Sequence, residues 1–136
     1  MNTSTEAPVM TVWPCLQARH ARSLIDWLVT TFGFEETAVY TEGDTVIHAQ
    51  LDWPQGGGIM LGDNEPTDDY ARPAGAASCY IVTVNVDALY ERAKTGGARI
   101  VRELRDEDYG NRAFVAADPE GNLWSFGTYR GEPRRS

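Results

Sequence analysis

The chain has 136 residues, a mass of 15.0 kDa and a formal net charge of −8, a size that predicts one domain whose core needs no disulfide or metal staple. With 42% hydrophobic and 24% charged residues it falls in the ordinary globular class, and no apolar run approaches the ~20 residues of a membrane span. The acidic balance disfavours binding to a phosphate backbone, which argues against a nucleic-acid partner.

Met1 to Pro8 lacks the basic and apolar parts of a signal peptide, and Cys15 and Cys79 lie far apart in sequence, as suits reduced thiols; a cytoplasmic location is expected. An acidic body attracts cationic small molecules through its long-range field, or simply keeps the protein soluble.

In chain order, 1–8 reads as a disordered leader and Val9 to Gln17 as a strand, with Pro14 placing it at an edge or bend. Leu24, Ile25, Leu28, Val29 and Phe32 recur at three- and four-residue steps, predicting a helix over 21–32 that Gly33 ends. Strands are expected at 34–41 and 45–52 around the Glu42-Gly43-Asp44 turn, then at 59–62 after the glycine-rich stretch 54–58. The segment 63–77 is rich in turn formers and acids and reads as a linker. The pattern then restarts with a strand at 79–86, a helix at 87–95 capped by Asp87 and closed by Gly96-Gly97, and strands at 99–105, 112–117 and 122–129. A single domain over 9–130 therefore divides into module one (9–62) and module two (78–130), with a tail at 131–136. An offset of about sixty-six residues superposes the modules, setting Trp13 against Cys79 and Met60 against Ser125 or Phe126.

This doubled βαβββ order, with Phe32-Gly33-Phe34, Val86-Asp87-Ala88-Leu89, and Tyr109-Gly110-Asn111-Arg112 leading to Asp118-Pro119-Glu120-Gly121-Asn122, resembles the vicinal oxygen chelate superfamily of glyoxalases, extradiol dioxygenases and bleomycin-resistance proteins. The resemblance implies an α+β fold in which two tandem βαβββ modules form a curled eight-stranded sheet around a cleft. It also implies a homodimer, because many relatives complete their clefts with strands of a second chain. It implies no particular reaction, since one fold hosts many.

Strand alternation places Trp13, Cys15, Gln17, Val46, His48, Gln50 and Met60 of module one in that cleft, with Ile47, Ala49 and Leu51 packed under the helices. Module two contributes Cys79, Ile81, Thr83, Leu123, Ser125 and Tyr129, with Tyr109 as a lid, while Trp124 faces the core. The resemblance sets Trp13, Met60, Cys79 and Ser125 at the positions where metalloenzymes of the superfamily carry His, Gln or Glu. Indole, thioether, thiol and hydroxyl make a poor set for a divalent catalytic metal, so no metal or other cofactor is expected. His48 is a candidate general base or a plain hydrogen-bonding group, Cys79 a nucleophile or an inert buried thiol, and His20 an exposed residue at a helix start. Gly56-Gly57-Gly58 precedes neither a helix nor a Lys, so it cradles no phosphate.

The inventory suits a metal-independent binding protein that holds an aromatic or cationic compound such as an antibiotic by stacking and oriented hydrogen bonds. Trp13 is then the stacking platform, and acids at 68–69 and 106–108 form an electrostatic rim. The alternative is a glyoxalase-like lyase, isomerase or dioxygenase that uses displaced metal ligands or a His48 base.

Overall fold

The computed structural model describes residues 10–64, 69 and 71–135; the expected leader and Asp68 fall outside them. The elements are β1 (Cys15–Ala18), α1 (Ala21–Phe32), β2 (Glu35–Glu42), β3 (Thr45–Asp52), β4 (Gly58–Asp63), β5 (Ser78–Val82), α2 (Val86–Thr95), β6 (Arg99–Asp106), β7 (Arg112–Ala117) and β8 (Leu123–Gly127). The order matches the doubled βαβββ expectation. The eight strands divide into two sheets of four, β1-β4-β3-β2 and β5-β8-β7-β6, each with one parallel pair at the side where its module begins.

β1 is shorter than the expected 9–17 and starts after Pro14. Among the described residues its only strand partner is β4, and the ladder opens where the Met60 amide donates to the Pro14 carbonyl at 2.9 Å. Pro14 has no N–H to extend the pairing backwards.

The apolar stripe of α1 buries Ala21, Leu24, Ile25, Leu28 and Phe32. It packs on Leu16, Ala49, Leu51 and Leu61 of the first sheet, and α2 adds Val86, Leu89 and Ala93 to the same core. Aromatic rings fuse the modules. Phe32 meets Phe126 at 4.7 Å and Trp124 at 6.1 Å, and Phe34 sits 5.6 Å from Trp124. Both sheets thus turn one face toward the helices and a common core, with Trp124 fully buried as expected.

Gly33 ends α1 in the left-handed region at φ 93°, its amide donating to Val29, a geometry glycine adopts without a Cβ penalty. α2 begins one residue earlier than expected because Val86 is drawn into the core, so Asn85 caps it through the Ala88 amide at 3.2 Å. Asp87 instead pairs with Arg112 at 2.8 Å. At the start of α1, His20 provides no side-chain cap. Carboxylates from the β7–β8 turn and the end of β4 satisfy the amides there: Glu120 accepts from Arg19 and His20, and Asp63 accepts from Ala21 while its other oxygen accepts from Val46 of β3. Glu120 belongs to module two, so this junction ties the modules together outside the core.

Candidate functional site

The free face of the first sheet carries most of the module-one residues singled out in the sequence. Cys15 registers with Met60 on β4, and Met60 with Gln50 on β3, so these three share a row, while Gln17 lies opposite Gly62. A depression of about 300 Å³ opens here, walled by Cys15, Gln17, His48 and Met60 among others. The Gln17 side-chain oxygen Oε1 accepts from the Arg72 amide, Gln50 donates to Asp52, and His48 stacks on Tyr40 at 6.0 Å with planes 24° apart. Trp13 precedes β1 and lies over Gly58, where an added Cβ would come within 2.8 Å of its ring. Its indole donates to the Met10 carbonyl. It therefore walls the rim of this face, and Cys15 is the residue in register with Met60.

Two facings in β3 differ from the alternation. Val46 is buried in the core and Ile47 is exposed, the reverse of the expectation. Tyr40 pairs with His48 and Thr41 with Val46, so Ile47 is the extra residue of a β-bulge, and a bulge shifts every facing on one side of it.

In the second sheet the register aligns the modules at an offset of 65, pairing Tyr80 with Ser125 as Cys15 pairs with Met60. Cys79 is in register with Trp124 and packs with Ile81 against the core, while Thr83 is buried. The expectation that Cys79, Ile81 and Thr83 line the cleft is therefore corrected: a one-residue slip turns a whole strand over. Burial, and secondarily the Asp118 charge, push the Cys79 thiol above its ordinary value, which suits the inert reading. With Cys15 exposed and Cys79 partly buried, iodoacetamide is expected to alkylate one thiol at a normal rate and the other much more slowly. Cys15→Ser should leave only the slow phase, and a fast phase surviving that change would contradict the placement.

Tyr80 replaces Cys79 on the free face and was not singled out in the sequence; the offset of 65 was the signal that would have found it. Its hydroxyl donates to the Tyr129 carbonyl at 2.7 Å and reaches Asn111 at 3.3 Å. The buried Asn111 also donates to the Tyr109 hydroxyl and accepts from the Tyr129 amide. Tyr109 stands edge-on to Tyr129, ring centroids 5.4 Å apart. The acids expected as a rim are partly spent within the protein: Asp106 pairs with Arg112, and Glu107 with Arg102 and Arg105.

These two free faces do not meet. None of the principal cavities among the described residues brings His48, Gln50 or Met60 to a common wall with Tyr80 or Ser125. The largest, about 480 Å³, lies instead at the module junction, between Phe34, Trp53 and Ile59 on one side and Cys79, Tyr80 and Ile81 on the other. There the Trp53 indole donates to the Val82 carbonyl at 3.0 Å. The reason is the shared core: each sheet gives its helix-side face to it, which leaves the other two faces on the outside.

The donors along the first, fourth, fifth and eighth strands of these faces are Cys15 or Trp13, Met60, Tyr80 or Ser78, and Ser125. None is an imidazole or carboxylate, and among the described residues no three His, Cys, Asp or Glu side chains converge as a metal site. This set does not fit the divalent metal of the superfamily's metalloenzymes.

A family model described as the Glyoxalase/Bleomycin resistance protein/Dioxygenase superfamily matches residues 10–126. The chain is 33% identical over 122 residues to an uncharacterized protein of Mycobacterium tuberculosis (strain ATCC 25618 / H37Rv), covering 84% of this chain and 71% of that one. It is similar to TioX from Micromonospora sp. ML1, with TM-score 0.73 and 29% identity over 86% of this chain and 98% of that one. A glyoxalase I mutant from Zea mays shares the fold at TM-score 0.67 and 21% identity, over 85% of this chain and 43% of that one.

Proposed function

Because the chain belongs to the Glyoxalase/Bleomycin resistance protein/Dioxygenase superfamily, we propose that it is a small-molecule-binding protein whose cleft forms between two copies of the chain. The first-sheet face of one copy closes on the second-sheet face of the other. A flat or amphipathic compound, such as an aromatic or cationic antibiotic, is held there without a divalent metal. Sequestration, and not turnover, is the function in this reading.

The observation that carries it is the donor set at the paired strand positions: thiol or indole, thioether, phenol and hydroxyl. Such groups stack, pack and hydrogen-bond, but they do not hold a hard Lewis acid with an open position. The exposed Tyr40, Ile47, Tyr80 and Tyr109 support the dimer, as large apolar side chains on two open faces call for cover. His48 faces Tyr40 and donates to no carboxylate among the described residues, so the orienting partner a general base uses is not supplied.

Two measurements test this reading. Sedimentation at micromolar concentration is expected to show twice the 15.0 kDa chain mass; a monomer alone would overturn the two-chain cleft. A strong chelator should leave the melting temperature unchanged, because no metal contributes binding free energy to the fold. Stoichiometric divalent metal in the purified protein, or a melting temperature that falls on chelation, would replace the binder with a metalloenzyme.

A further inference from the structure

The second sheet's free face ends in three tyrosines whose positions are fixed from beneath. Tyr80 projects from β5, Tyr109 from the turn between β6 and β7, and Tyr129 from just beyond β8. One buried side chain joins them: Asn111 Oδ1 accepts from the Tyr129 amide and lies 3.3 Å from the Tyr80 hydroxyl, and Asn111 Nδ2 donates to the Tyr109 hydroxyl at 3.2 Å. Gly127 keeps the space open, since a Cβ there would come 2.6 Å from Asn111 and 2.7 Å from the Tyr80 hydroxyl.

All three hydroxyls are engaged. Tyr80 donates to the Tyr129 carbonyl, Tyr109 accepts from Asn111, and Tyr129 donates to Glu132 at 3.0 Å. Tyr80 and Tyr109 nevertheless expose 45% and 63% of their surface. What they offer a ligand is mainly ring surface, with the Tyr109 O–H as the one hydroxyl proton of the three not spent among the described residues. A sugar or a phosphate, which needs several donors, meets one phenol O–H here. Tyr109 and Tyr129 stand at 87° to one another and so form two perpendicular walls. Among the described residues the only cation placed over a tyrosine ring is Lys94 on Tyr90, far along α2, so no cationic side chain of the described residues lies over these rings.

We propose that Tyr80, Tyr109 and Tyr129 form an aromatic cage for an alkylated ammonium group of the bound molecule. This rests on the binding reading above and names the chemical class its second-sheet wall accepts. The negative face of each ring attracts a cation, and a methylated ammonium is large, weakly hydrated and bound through the ring faces without a hydrogen bond of its own. The Glu132 carboxylate beside Tyr129 and the net charge of −8 favour the same sign. Neutral phenols are the form that presents a quadrupole, and burial of Tyr80 together with the Glu132 hydrogen bond to Tyr129 keeps both pKa values above the ordinary tyrosine value.

The test uses the intact protein with choline and its uncharged isostere 3,3-dimethylbutan-1-ol, titrated while tyrosine ring resonances are followed by NMR. Choline is expected to bind about five- to thirtyfold more tightly than the isostere, with the shifts confined to these rings. Tyr109→Phe should keep the preference, because the ring remains, and Tyr109→Leu should abolish it. Equal affinity for the two probes, no binding of choline, or an undiminished preference in Tyr109→Leu overturns the cage. Planar aromatic ligands that still perturb His48 and Met60 in that event leave the broader binding function standing, so the two failures are distinguishable.

Discussion

Asp118→Ala is expected to cost about 3–5 kcal/mol of stability, read as a lower urea midpoint at unchanged slope. Asp118 is buried and accepts from the amides of Glu120, Gly121 and Asn122, from the Asn122 side chain at 2.8 Å and from the Trp124 indole at 2.9 Å. Removing the carboxylate leaves five donors without this acceptor. The indole of the fully buried Trp124 has no route to water, and each buried orphan donor costs about 1–3 kcal/mol before relaxation. The loss spreads beyond the turn. Asp118 shapes the loop that holds Glu120 against the amides of Arg19 and His20, so the start of α1 loosens as well. Asn at 118 should recover only part of the loss, because its amide nitrogen meets donors where an acceptor is needed. A loss under about 1 kcal/mol would mean that water or a neighbour replaces the carboxylate.

What the sequence made legible is what depends on near neighbours. The α1 stripe, its Gly33 end and the limits of β3 and β7 agree with the expected spans, since helix periodicity and turn residues act within a few positions. Facing was less legible, because it is decided by the partner strand. Ile47 leaves the core through a bulge, and Cys79 yields the open face to Tyr80 through a single residue of register. Asn85 displaces Asp87 as cap because the burial of Val86 fixes where α2 starts. How the two modules dock was the least legible. Trp13, Cys15, Gln17, His48, Gln50 and Met60 do gather on one face, and Tyr109, Ser125 and Tyr129 gather on or beside the other, yet nothing local says how the modules dock. That is settled by Phe32, Phe34, Trp53, Trp124 and Phe126 meeting on the helix side.

A mixed dimer should recover binding that both of its parents lack. Met60→Arg fills the depression on the first sheet, and Ser125→Arg fills the row beneath Tyr80 on the second. Both positions are only half-buried on open faces, so the long side chains keep their charge in water and folding, followed by circular dichroism, is preserved. Each variant alone makes a homodimer in which both clefts have one blocked wall. The affinity for a flat cationic dye such as thioflavin T is expected to fall about a hundredfold, near 3 kcal/mol. When the two are co-expressed and the mixed dimer is isolated with two tags, the Met60→Arg chain supplies an intact second sheet and the Ser125→Arg chain an intact first sheet. One cleft is then whole and the other is blocked on both walls. Binding should return at the unmutated affinity with half the unmutated stoichiometry. If each cleft lay within one chain, every chain in the mixture would still carry a blocked wall and mixing would restore nothing. A mixed dimer as inert as its parents, from variants that each abolish binding, would therefore return the site to a single chain and direct attention to the cavity between Trp53 and Cys79.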